Sequence, residues 1–318
     1  MQRELGCVHF FGESASLRRS WLARKVQLGI VWYVFTVLRA VAFVLHRILR
    51  TQPTPAYKRA CRRSDPGRAV PGDEPRPEPL GKHIYADRWR RASEQLAREA
   101  QHHSTIDALI VGDSISETWL GRDCGEPIPP GSRAGRGVPA ILRETFGRRT
   151  VVVNALGADC THHCLWRVTK SGAFDHLRPK VVFLLIGAND AIAAMMAHWW
   201  WALAPDAPAT RAWARETGDL VAAAVRAIQE ALRRAFPGAR LVQCGVPRLD
   251  RRNMAYATRV IARANAALAE GPAEWLDLDA ALAGRGVFEP DGIHLTEAAY
   301  RRLGAALAAR LPADLPAG

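Results

Sequence analysis

The feature that most restricts what this chain can fold into is a series of short apolar runs separated by longer helical patterns. The runs at 108–111, 151–156, 181–186 and 241–244, and a weaker one at 275–278, are predominantly apolar rather than strictly alternating. Such hydrophobicity over so few residues implies strands buried on both faces. The intervening segments read as helices: a polar pattern over 84–103, then 212–236, 255–269, and a last one reaching 310 behind an apparent Thr296 cap. Strands and helices in alternation predict an α/β protein, a three-layer α/β/α sandwich built on a five-stranded parallel sheet. Ligands of such sheets collect at the carboxyl ends of the strands, so the residues just after each run carry the functional argument.

The composition supports a packed domain, with 48% hydrophobic and 24% charged residues in 318. The formal net charge of +13 invites nucleic acid as a partner, but its distribution argues otherwise. Residues 1–91 hold 18 Lys and Arg against 7 Asp and Glu, which leaves 26 against 24 in the remaining chain. A nearly neutral main domain offers no extended phosphate-binding face.

The chain therefore divides into a basic extension (1–50), a linker (51–80) and a main domain (81–318). Within the extension, Arg18, Arg19, Arg24 and Lys25 precede an apolar segment at 26–45, and His46, Arg47 and Arg50 follow it. Basic flanks around such a segment predict a membrane contact, either a signal anchor or an interfacial helix. A cleaved or organellar targeting sequence, leading to a secreted or organellar protein, is the alternative. Residues 51–80 are rich in Pro, Arg and Gly and read as an exposed spacer.

Six cysteines are too dispersed for a disulfide framework. The one local cluster, Cys160-Thr-His-His-Cys164, would put two thiols on one helix face, but no second Cys/His pair completes a tetrahedral set. The expectation is no metal and no cofactor.

Four segments hold chemically apt residues. Gly112-Asp113-Ser114 follows the first run, Asn154-Ala155-Leu156-Gly157 overlaps the end of the second, Gly187-Ala188-Asn189-Asp190 follows the third, and Asp291-Gly292-Ile293-His294 lies before the last helix. Ester hydrolysis needs a nucleophile, a base, a carboxylate that orients the base, and donors for the developing oxyanion. Ser114, His294 and Asp291 fit the first three. The backbone N–H groups of Ser114 and Gly157 and the Asn189 side-chain amide fit the fourth. Position 116 is Ser, so the G-x-S-x-G elbow of another hydrolase fold is absent.

These segments closely resemble the blocks of the SGNH, or GDSL-type, hydrolase superfamily. Asp87-Arg88-Trp89, the stretch ALGADCTHHCLWRVTKSG and the following LRPKVVFLLIGAND are most similar to the catalytic subunits of intracellular platelet-activating factor acetylhydrolase. The resemblance covers about 84–311. It implies a flavodoxin-like three-layer fold, metal-independent ester hydrolysis, a helix over the Cys160–Cys164 region, and the roles given above for Ser114, Gly157, Asn189, Asp291 and His294. The ending DGIHLTEAAYRRLG looks like generic bacterial and algal members instead, and 195–209, with Trp199-Trp200-Trp201, looks like an insertion.

The sequence therefore predicts a serine esterase acting on a short-chain or acetyl ester of a small molecule or lipid. Trp199 and Trp200 are candidates for an apolar acyl wall, and Arg248, after the fourth run, for an anionic substrate group. A carbohydrate O-deacetylase or acyltransferase uses the same residues. A catalytically silent, membrane-tethered interaction module is the rival from another class. The sequence leaves the oligomeric state open.

Overall fold

The computed structural model describes residues 86–129, 137–197, 206–250 and 254–312. The basic extension, the linker, Trp199 and Trp200 lie outside the described residues. No helix among the described residues is long and apolar enough to cross a membrane.

The sheet is formed by β1 (Thr105–Gly112), β4 (Val151–Ala155), β5 (Arg178–Leu185), β6 (Arg240–Cys244) and β7 (Glu274–Leu276). All pairings are parallel and the order is β4-β1-β5-β6-β7. The chain thus starts in the second position of the sheet, adds β4 on one side, and then reverses to place β5, β6 and β7 on the other. The reversal is a topological switch point, where the loops after β1 and β5 separate and leave a crevice. A short hairpin of β2 (Arg122–Asp123) and β3 (Glu126–Pro127) lies beyond the first strand.

The predicted runs correspond to the buried parts of the strands. β1 and β5 each begin earlier, with exposed or half-buried residues alternating with buried ones (Thr105, Ile106, Asp107; Arg178, Pro179, Lys180). Their amino ends emerge from the helical layers, so only their carboxyl halves need be continuously apolar. The last strand ends at Leu276 rather than 278, because the Asp277 carboxylate accepts a hydrogen bond from the Ala280 N–H and caps a helix there.

Helices cover both faces. On one side α3 (Val138–Phe146) packs against α9 (Glu297–Ala308), and a short α8 (Leu278–Ala281) adjoins α9. On the other, α6 (Pro208–Ala235) packs against α4 (Thr161–Lys170) and α7 (Ala255–Ala269), with α5 (Ala188–Ala197) against α7. Pro208 at the first turn lets α6 begin before the expected 212, since its missing N–H has no helical partner to lose. The Thr296 cap is present, its hydroxyl accepting from the Ala299 N–H, and α9 ends at Ala308. The main core joins Leu109, Val111, Phe183, Leu184, Ile228, Val242 and Val260. The helix predicted at 84–103 is α1 (Ala86–Ala100), which lays Trp89, Ala92 and Leu96 against Cys124 and Leu156 in a smaller second cluster.

Candidate active site

Ser114 is the first residue of α2 (Ser114–Glu117), one turn of helix directly after β1. Asp113 makes that abrupt change possible: its carboxylate accepts from the Ile115 N–H at 3.0 Å and its carbonyl from the Glu117 N–H at 2.8 Å. Only glycine fits at 112, where a Cβ would lie 2.3 Å from the Leu185 carbonyl and 2.4 Å from Ser116 Oγ. Two further bonds fix the turn. Thr118 Oγ1 donates to the Ser114 carbonyl at 2.7 Å, and Tyr300 Oη, from α9, donates to the Ile115 carbonyl at 2.7 Å.

His294 reaches this serine from the loop before α9. Asp291 Oδ1 accepts the backbone N–H groups of Ile293 (2.8 Å) and His294 (2.9 Å), a local Asx turn. That turn aims Oδ2 at His294 Nδ1, 2.6 Å away. On the other side of the ring, His294 Nε2 is 3.1 Å from Ser114 Oγ. Partial burial would raise the Asp291 carboxyl, but the His294 ring and the two N–H groups win and hold it well below the usual carboxylate range. An ionised Asp291 fixes the proton on Nδ1 and leaves the Nε2 lone pair for the serine proton.

Asn189 stands at the start of α5, just after β5, across the switch-point crevice from Ser114. Its Nδ2 donates to the Asp159 carbonyl at 2.9 Å, which orients the amide while engaging one of its two hydrogens.

The expectation for Gly157 needs correction. Its N–H donates to Glu117 Oε2 at 2.6 Å, so this amide is committed to a buried carboxylate rather than open to the site. The next residue, Ala158, is exposed and left-handed, with φ of 64°. Its N–H has no hydrogen-bond partner among the described residues.

Beneath these loops lies a layer of buried ionisable groups that periodicity does not disclose. Asp159 accepts Trp89 Nε1 at 2.6 Å and Arg167 Nε at 2.8 Å. Arg167 also donates to the Gly112 carbonyl at 3.1 Å and to Asn154, so one buried guanidinium ties together the ends of β1 and β4. Asp190 caps α4 by accepting the Thr161 N–H at 2.9 Å and its hydroxyl at 2.7 Å. Burial pushes the carboxyls of Asp113 and Glu117 up to about 7 and that of Asp190 to about 6. The available sequence signal was the eight-residue spacing of Asp159 and Arg167 across a predicted helix start, and Glu117 three positions after Ser114. Both resemble ordinary surface charge when read alone.

The metal-ligating types that the fold gathers here are Cys160, His162 and His163. Cys160 Sγ lies with the ring nitrogens of His162 and His163, all within 4.8 Å of one another. Two of these groups already serve the start of α4: the Cys160 thiol accepts a backbone N–H, and His163 Nδ1 accepts the Cys160 N–H at 3.0 Å. Arg248 is held by Asp279 through a 3.0 Å ion pair with two thirds of its side chain exposed. Among the described residues no contact joins it to Ser114, Asn189 or His294.

Residues 110–302 match the model of the GDSL-like lipase/acylhydrolase family. Subunit alpha2 of human platelet-activating factor acetylhydrolase IB is 26% identical over 104 residues, which cover 33% of this chain and 37% of that protein. The rat alpha1 subunit is 38% identical over 50 residues, 16% of this chain and 21% of that protein. The chain thus spans well under half the length of these curated relatives. The solved lipase/acylhydrolase of Enterococcus faecalis is 18% identical with a TM-score of 0.42, covering 66% of this chain and all of that one. With a family model matched over more than half its length, the chain belongs to the GDSL-like lipase/acylhydrolase family.

Proposed function

We propose that this protein is a serine esterase that removes a short acyl group through an acyl-enzyme. The carrying observation is the continuous chain from Asp291 Oδ2 through His294 to Ser114 Oγ, with links of 2.6 and 3.1 Å. His294 Nε2 takes the Ser114 proton as Oγ bonds to the ester carbonyl carbon. The tetrahedral intermediate collapses, the C–O bond to the alcohol breaks, and the leaving oxygen takes the proton back from His294. Water then repeats the sequence on the acyl-enzyme and releases the acid. Asp291 stays ionised throughout and stabilises the transient imidazolium.

The developing oxyanion is met by the Ser114 N–H, the second Asn189 amide hydrogen and, in place of Gly157, the Ala158 N–H. Acetyl and other short chains are favoured by the likeness to acetylhydrolase subunits, although that likeness covers only part of each chain. The apolar segment at 26–45 with its basic flanks supports a membrane anchor, which makes lipid esters natural substrates.

A series of p-nitrophenyl esters from acetyl to decanoyl, alongside acetylated sugars, tests the reading. The expected result is highest kcat/KM for acetyl or butyryl esters and loss of turnover in Ser114→Ala. A preference for acetylated sugars would make the protein a carbohydrate deacetylase, and activity retained in Ser114→Ala would refute the mechanism. Sedimentation of the full chain with anionic vesicles, abolished by deletion of 1–50, tests the anchor.

A further inference from the structure

Glu117 is the last residue of the four-residue helix that Ser114 opens, and its carboxylate is buried. Three backbone donors converge on it, with the Asp123 carboxylate nearby. Oε2 accepts the N–H groups of Cys124 and Gly157, and Oε1 that of Gly125, each at 2.6 Å. Cys124 and Gly125 form the β2–β3 turn, with φ of 49° and 83°, and Gly157 belongs to the loop after β4. One side chain therefore joins the nucleophile helix, the hairpin turn and the loop that carries Ala158.

The packing is tight at Gly157. A Cβ there would lie 2.4 Å from Asp123 Oδ1, 3.0 Å from the Cys124 nitrogen and 3.1 Å from Glu117 Oε2. Side chains would push the loop away from the helix.

We propose that Glu117 is a positioning residue for the esterase reaction: by holding the Gly157 amide against the nucleophile helix, it turns the Ala158 amide of the same loop toward the oxyanion. The proposal rests on the serine-esterase reading. Its physical content is that the ionised carboxylate is the form that holds the loop firmly. Protonation replaces an accepting oxygen by an O–H and removes the charge that strengthens all three bonds, so the neutral acid holds the loop less tightly. Burial brings that protonation near neutrality. The ionisable groups around it are Asp123 and Cys124 from the hairpin, Arg88 of α1, which donates to the Cys124 and Asp123 carbonyls, and Asp159 and Arg167 behind the loop. Cys124 stays a neutral thiol, since burial and Glu117 push it up to about 12. Arg88 is held by carbonyls and does not neutralise the carboxylate directly.

The test uses the full chain with p-nitrophenyl acetate, measuring kcat and KM from pH 5 to 9 for wild type, Glu117→Gln and Glu117→Asp. In wild type the acid limb of kcat/KM should be steeper than one proton, because Glu117 must lose a proton in addition to the general base. In Glu117→Gln, kcat should fall by about tenfold to a hundredfold with KM within about twofold, as expected for a contact that matters in the transition state. Its acid limb should relax to one proton, and Glu117→Asp should restore the steeper one. Folded Glu117→Gln with wild-type kcat and an unchanged limb would overturn the proposal. Should Glu117→Gln fail to fold, the wild-type limb decides alone, and a one-proton limb counts against Glu117. Wild type without Ser114-dependent turnover would overturn the esterase reading and this proposal with it.

Discussion

Asp291 and Glu117 are two carboxylates within reach of the same serine turn, each accepting three hydrogen bonds, and they are driven in opposite directions. Asp291 accepts two backbone N–H groups and the His294 ring, keeps about a third of its side chain in water, and is held far below the ordinary range. Glu117 accepts three backbone N–H groups, has almost no water, and is pushed up to about 7. The donor count is the same, so hydration and the nature of the partner decide. Retained solvent and a ring that can carry positive charge keep the outer carboxylate ionised, whereas burial among neutral amides leaves the inner one close to protonation. The outer group suits permanent electrostatic work on a base. The inner one suits holding geometry.

The sharpest way to break this contrast is to neutralise the outer carboxylate. Asp291→Asn keeps the shape but removes the charge and the tautomer preference, and kcat should fall by about ten-thousandfold at neutral pH, read from steady-state hydrolysis of p-nitrophenyl acetate. A loss of only a few fold would mean that Asp291 merely shapes its loop. Next in size is Asn189→Ala, on the side of the crevice that rests on the buried Asp159. Loss of this donor should lower kcat by about a hundredfold to a thousandfold with little change in KM, whereas a pure KM effect would exclude an oxyanion role.

The inner group also predicts how stability varies with pH. Asp113, Glu117 and Asp190 have raised values in the fold, near 7, 7 and 6, against 3.8, 4.5 and 3.8 ordinarily. Their contribution to stability is full below the ordinary values and is lost as pH rises through the folded ones. Asp291, held low, acts in the opposite sense and loses its contribution only in acid. Between pH 5 and 8 the raised set dominates, so the melting temperature should fall by on the order of 10 °C. Differential scanning calorimetry that shows a rise over this interval would contradict the assignment. The smallest effect is expected at Thr296→Ala, two residues after His294. Loss of its cap should destabilise the fold by about 1 kcal/mol, visible as a melting shift of about 2–4 °C, with kcat nearly unchanged.

The outer set was legible in the sequence and the inner one was not, for a physical reason. Ser114, Asn189 and His294 follow strands or precede a helix in an order that topology dictates, and Asp291 lies within one turn of the base it serves. Local spacing and strand periodicity suffice to find them. The partners of Glu117 are backbone amides of Cys124, Gly125 and Gly157, which carry no side-chain signature, and one of them is 40 residues away. The same holds for Arg167, whose carbonyl partner at Gly112 is 55 residues off. The sheet was readable because its strands are apolar where they cross the core. Their exposed beginnings and the Asp277 stop were not, since alternation and a single capping residue also occur in loops. The engagement of the Gly157 N–H by Glu117 was not legible either, because a chain of letters does not say which way an N–H points.

The most direct test of the central claim is reaction of the full chain with a fluorophosphonate serine probe, followed by peptide mapping, with Ser114→Ala and Asp291→Asn as comparisons. The account predicts a single modified residue, Ser114, with labelling abolished in Ser114→Ala and strongly slowed in Asp291→Asn. Folded wild-type protein that remains unlabelled, or labelling at a different serine, would contradict it.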